Sequence, residues 1–391
     1  MIENRPFGRI LWDAGEAAPD LLVSPGLAEE LAVLRAGLPV AASITPFDTG
    51  AAVRPYRHMR AFYIRRGDHV LAVKGSEPHA RDLVPTLQGM SGFRIEFPGR
   101  GRSLFSALEH FPLNEQKIPL AMSAEEALED VRSAAMVQQA HIARFGEPAR
   151  LPLPLLAVRW NDDLTQAHLE TLRPLLSGRA WRTVQRIAAD GLGAVVYHYP
   201  GLPLRVAHLP EILRPEILHS ADGAGWLDRL GGLCDPAATV ERWVDLVARM
   251  LVLGFLPGSI ESIGVGHCLE MKNAVIDGGF VDMGSVCRVA DVTDPRAFLE
   301  TLLAALADLA KTTRQFLMGD APEADAEYRN PSLAMVLMLH RLLPKLAARV
   351  TALGGADPRI TAFFDNSTGF GGLGRDGMTL ASSPIHAGGH R

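Results

Sequence analysis

The chain of 391 residues is 48% hydrophobic and 21% charged, the balance of a globular protein with a sizeable core rather than of a disordered or fibrous one. Its formal net charge of −5 gives no general attraction for nucleic acid or an anionic membrane, and no run reaches the roughly 18 apolar residues that span a bilayer. Cys234, Cys268 and Cys287 form neither a metal-type pair nor a disulfide framework, and the N-terminus lacks a basic-then-apolar signal, so a reducing cytoplasm is the expected setting.

The first 53 residues are punctuated by Pro and Gly, with one short amphipathic helix expected over 27–35. Two strand-like runs follow, 61–64 and 70–73. They are joined by Arg65-Arg66-Gly67-Asp68-His69, a hairpin signal, and Lys74 ends the second run. Residues 54–102 hold ten Arg or Lys against four acids, a basic surface suited to phosphate or simply the solvated edge of a hairpin. Within it Arg100 and Arg102 flank Gly101 on an expected loop, where guanidinium forks and approachable backbone amides suit an anion. Ser123-Ala124-Glu125-Glu126 is a capping box: the Ser123 hydroxyl can satisfy a free amide of the first turn while Glu126 reaches back. The helix it opens carries Ala127, Leu128, Val131, Ala134, Ala135 and Gln138 on one face and ends before Gly146.

A buried strand is expected over 153–158, helix over 164–190, and a second hairpin from 193–199 and 204–209 across Pro200-Gly201. Asp235-Pro236 is a helix start, with Asp as cap and Pro in the first turn, and Gly254 is the stop. Residues 273–276 and 280–281 read as a short hairpin about Asp277-Gly278-Gly279, followed by Asp282-Met283-Gly284. Asp294-Pro295 and Asn330-Pro331 start two further helices, ended by Gly319 and Gly354, the second interrupted at Pro344. The Gly-rich tail is expected to be irregular. The chain thus divides into an N-terminal extension (1–53), a β-rich lobe with a Lys hairpin, a helix and an inserted basic loop (54–210), a helical lobe with the later hairpin (211–354) and a tail (355–391). The class is α+β, and a cleft between two lobes is a natural ligand site.

That order, with Lys74-Gly75-Ser76, Gly101-Arg102-Ser103, Gly254-Phe255, Asn273 and Asp282-Met283-Gly284, resembles the two-lobed protein-kinase-like fold. Within it the nearest likeness is to the selenoprotein-O-like pseudokinases, which transfer AMP. The resemblance runs over 55–290 in scattered short motifs. It implies an ATP- and Mg²⁺-dependent transferase that moves a phosphoryl or adenylyl group to a small-molecule or protein acceptor, with no nucleic-acid or membrane partner. It implies that Lys74, Arg100 and Arg102 meet the nucleotide phosphates. A helix acid, Glu129 in preference to the capping Glu126, would pair with Lys74, and Asn273 and Asp282 would hold Mg²⁺. Glu270 or His267 would assist the acceptor. The chain also departs from the pattern. Lys272 replaces the acid that usually precedes the metal Asn, and the His-x-Asp of ordinary kinases is absent, since His267 is followed by Cys268 and Leu269.

Other functions fit the same scaffold. One is an ATP-dependent carboxylate–amine ligase working through an acyl-adenylate. Another is a non-catalytic nucleotide-binding pseudokinase, in keeping with the missing His-x-Asp. A third is an unrelated α/β protein whose hairpin is only structure. Gly369-Phe370-Gly371-Gly372-Leu373-Gly374 spells a dinucleotide fingerprint but does not lie between a strand and a helix, so it is not read as one. Met335 and Met338 read as core filling.

Overall fold

The computed structural model describes residues 2–41, 52–53, 61–66, 69–75, 94–97, 100–103, 118, 121–199, 205–206, 235–257, 269, 273–283, 286–318 and 333–368. The chain opens with β1 (Ile2–Arg5), β2 (Arg9–Asp13), α1 (Ala14–Ala17), α2 (Pro25–Ala36), β3 (Leu38–Ala41) and β4 (Ala52–Val53). Next come β5 (Ala61–Arg66), β6 (His69–Lys74), β7 (Arg94–Phe97), β8 (Arg100–Ser103), β9 (Met122–Ser123) and α3 (Ala124–Phe145). Then follow β10 (Leu153–Arg159), α4 (Asp162–Leu172), α5 (Gly178–Ile187) and β11 (Leu192–Tyr199). The later part holds α6 (Pro236–Val252), β12 (Phe255–Leu256), β13 (Cys287–Arg288), α7 (Pro295–Met318), α8 (Leu333–Leu353) and α9 (Pro358–Thr368).

This is an α+β protein; among the described residues its main sheet is antiparallel and seven-stranded, in the order β2-β10-β11-β6-β5-β4, with β9 also paired to β11. The expected hairpin of β5 and β6 lies toward its β4 edge, with Ala61 opposite Lys74. Because successive side chains of a strand alternate, Tyr63, Val70, Ala72, Val195 and Tyr197 share one face with Lys74. That face packs on α3, α6 and the later hairpin in one core. Ile64, Leu71, Val73, Val158 and Val196 form the opposite face, covered by α2, α4 and α5 in a second core. Burial on both faces explains the unbroken apolar runs of β10 and β11.

Local signals set most helix ends. The Ser123 hydroxyl accepts from the Glu126 amide at 3.0 Å, and α3 stops at Gly146, whose left-handed φ of 76° suits glycine. Asp235 and Asp294 cap α6 and α7 by accepting first-turn amides.

Several expectations are corrected. Residues 164–190 are not one helix: Pro174 lacks an amide and a 3₁₀ turn at Arg173–Leu175 separates α4 from α5. Of the strand expected over 204–209, only Arg205 and Val206 are among the described residues, and these two do not pair with β11. Arg205 instead bridges Val275, and the Val206 amide donates to Ala274 O at 2.8 Å. Helix α8 continues through Pro344, which faces solvent, where water can take a freed carbonyl. The tail contains α9, started by Asp357-Pro358, with Asp357 accepting from the Arg359 amide at 2.9 Å. The first 53 residues do not stand apart from the sheet, since β2 extends it beside β10.

Candidate functional site

Lys74 is the last residue of β6, held between Ala61 of β5 and Val195 of β11. Gly75 fixes the turn that follows. Its φ is +84°, and a Cβ there would stand 2.4 Å from Gly193 O. The Trp160 indole donates to Gly75 O at 2.9 Å from the opposite side. The lysine stem is thus fixed at a strand end and its ammonium is aimed across the sheet face toward α3.

There it meets Asp130. Lys74 Nζ donates to Asp130 Oδ2 at 2.5 Å, and Asp282 Oδ1 lies 3.8 Å from the same nitrogen. The latter distance is ion-pair contact, too long for a hydrogen bond. Side-chain exposure rises from 7% for Asp130 through 16% for Lys74 to 32% for Asp282, so the cluster opens to solvent on its Asp282 side. Burial pushes the Asp130 carboxyl up to about 6, the Lys74 ammonium pulls it down, and the charge of Asp282 adds to the rise. Burial, reinforced by the charge of Asp130, holds the nearby Tyr197 hydroxyl well above its ordinary range. That phenol is a neutral wall at physiological pH.

The partner of Lys74 is therefore one residue beyond the expected Glu129, which is exposed. The signal was present in the sequence. Ala127, Asp130, Val131 and Ala134 follow the spacing of one helix face, and an acid on that buried stripe must find a cation.

Asp282 leaves the hairpin expected between Asn273 and itself. Ala274 bridges Phe280, Val275 accepts from Gly278, and the Val281 amide donates to Asn273 O at 2.9 Å. Asn273 and Asp282 therefore sit at the adjoining ends of the two strands. Their amide and carboxylate oxygens are hard donors of the type that suits Mg²⁺. Among the described residues no group of three or more His, Cys, Asp or Glu is placed to hold a metal. The hairpin is seated by the helical part: Thr239 donates to Ile276 O at 2.6 Å, and the Trp243 indole to Val275 O at 3.1 Å. From the sheet, the Tyr199 hydroxyl donates to Val281 O at 3.3 Å, and Arg205 donates to the Tyr63 hydroxyl at 3.1 Å. Arg205, Tyr63 and Tyr199 escaped notice in the sequence, because nothing local marks so distant a pairing.

Arg100 and Arg102 lie on β8, which pairs with β7 in a separate two-stranded hairpin rather than the expected loop. Their side chains lie outside the described residues, as do His267 and Glu270. Leu269, between those two, is held by the Thr312 hydroxyl of α7, which donates to Leu269 O at 2.8 Å.

No known family model matches the chain, and no curated protein matches it. Among the described residues no helix is long and apolar enough to cross a membrane.

Proposed function

We propose that the chain is an ATP- and Mg²⁺-dependent transferase of protein-kinase-like architecture, moving a phosphoryl or adenylyl group to an acceptor. One observation carries this reading: a strand-end lysine held by an acid of the next long helix, 3.8 Å from a second acid that directly follows a hairpin. Kinase-type phosphoryl transfer requires a strand lysine paired to a helix acid and a metal-binding Asp in place together. The order of elements supports the same reading. Helix α3 is inserted between β6 and β10, β11 then pairs β6, and the helices and hairpin follow.

In this reading the Lys74 ammonium is a point charge for nucleotide phosphates, and Asp130 fixes its direction. Asp282 and Asn273 would hold Mg²⁺, which supplies neutralisation of phosphate charge. Arg100 and Arg102 add cationic contacts to the phosphates, and His267 or Glu270 assists the acceptor.

The test is incubation with α-labelled and γ-labelled ATP in parallel, with Mg²⁺, using the wild type and Asp282→Ala. Label is expected to leave one form of ATP and not the other, separating adenylyl from phosphoryl transfer. Asp282→Ala should abolish transfer while keeping the wild-type melting temperature. Pyrophosphate release only on addition of a carboxylic acid would favour the ligase. Stabilisation by ATP and Mg²⁺ without turnover would leave a non-catalytic binding protein. Full activity in Asp282→Ala would remove the site assignment.

A further inference from the structure

We propose that Gln138 is a positioning residue that ties both acid partners of Lys74 to a single helix. The inference rests on the reading of the Lys74 cluster as the working site. Gln138 lies two turns beyond Asp130 on the same buried stripe of α3, and its side chain is fully buried. Its amide nitrogen donates to Leu151 O at 2.9 Å and Ala149 O at 3.2 Å, and Pro152 O is also within reach. Its amide oxygen accepts from the Ala149 amide at 2.8 Å. One side chain thus pins the segment that links α3 to β10.

That pinned segment grips the hairpin bearing Asp282. The Phe280 amide donates to Arg150 O at 3.2 Å, and the Arg150 guanidinium donates to Asp277 O at 3.4 Å. The approach is so close that a Cβ at Gly279 would lie 2.4 Å from Arg150 O. Phe280 is two residues before Asp282. Helix α3 therefore sets Asp130 directly and Asp282 through Gln138, the 149–152 segment and the hairpin backbone. The far end of α3 is anchored as well. Arg249 of α6 donates to the Glu147 carboxylate at 2.9 Å, and Arg144 donates to Leu353 O at 3.3 Å. A helix tied in this way is not free to swing away from Lys74 and leave the hairpin behind. The tie thereby couples the carboxylate–ammonium–carboxylate arrangement to the position of one helix.

The experiment is amide hydrogen exchange on the full chain without nucleotide, for the wild type, Gln138→Met and Gly279→Ala. Methionine matches the length of glutamine but removes every one of its hydrogen bonds. In Gln138→Met, exchange at the Phe280 amide is expected to quicken about tenfold, with the paired amides of β10 and β11 unchanged. Gly279→Ala presses on the same path from the other end, and exchange at the Ala149 amide is expected to quicken. The second variant decides the matter if the first does not fold. Unchanged exchange at Phe280 in Gln138→Met, or at Ala149 in Gly279→Ala, would overturn the tie. So would a uniform increase that includes β10 and β11.

Label transfer measured on the same samples separates this inference from the proposed function. Wild type that transfers no label sinks the transferase reading, and the exchange data still judge the tie. If Gln138→Met has quickened Phe280 exchange but transfers label at the wild-type rate, the positioning role is overturned.

Discussion

At the scale of single residues, Asp130 governs the chemistry of the cluster. Its carboxyl titrates higher in the folded chain than in the unfolded one, because burial outweighs the pull of Lys74. Folding therefore takes up a proton between about pH 4 and pH 6. The stabilisation from this group is complete below about pH 4 and is lost as pH rises through 6. Asp130→Asn removes the titration, so the difference in urea-unfolding stability between the two ends of that window should shrink. An unchanged difference would assign the titration to some other group. Choosing Glu129 from the sequence missed by one position. The capping box correctly located the helix, but a one-residue step turns a side chain through more than a quarter of the helix circumference. Glu129 is favoured because Glu125 and Glu126 already serve the first turn, whereas phase against the apolar stripe is the informative measure.

At the scale of elements, most of what the sequence revealed was local. Caps, glycine stops and the Asp277-Gly278-Gly279 turn are short-range chemistry, and the β5–β6 hairpin, α3, α6 and the Asn273–Asp282 hairpin all lie where those signals put them. Asp357-Pro358 carries the same start signal as Asp235-Pro236 and Asp294-Pro295, yet the glycines around it drew the tail toward irregular structure. The pairing of Arg205 with Val275 was not legible, because its partner lies 70 residues away along the chain. The strand-to-turn junction after Lys74 makes a sharp prediction. Gly75→Ala forces a side chain into a left-handed backbone and against Gly193 O at once. It should lose clearly more stability than Gly146→Ala, which has a similar positive φ but open space around it. About 1 kcal/mol is expected for Gly146→Ala, against roughly 2 kcal/mol or more for Gly75→Ala. Equal losses in chemical denaturation would show that the close approach around Gly75 contributes nothing.

At the scale of the whole molecule, the sheet separates two cores with different duties. The face bearing Lys74 meets α3, α6 and the hairpin, whereas the opposite face is closed by α2, α4 and α5. Leu31 of α2 is buried in the second core, away from Lys74. Leu31→Ala is expected to cost roughly 2–5 kcal/mol of stability and, on the proposed reading, to leave nucleotide affinity, measured by calorimetry well below the melting temperature, at its wild-type value. A matching loss of affinity would show that the two cores are not independent. The sequence foresaw a β-rich part followed by helices, but not a sheet enclosed on both sides, because no local signal says which face of the sheet a neighbouring helix covers. If the Lys74 cluster is the working site, the graded exposure of its three charged groups bears on what can enter. Asp282 is the outermost, so a bare polyanion drifting inward is repelled before it can feel the ammonium behind. On the proposed reading, a visitor escorted by its own countercharge would cross that threshold more readily than the same molecule without its companion ion.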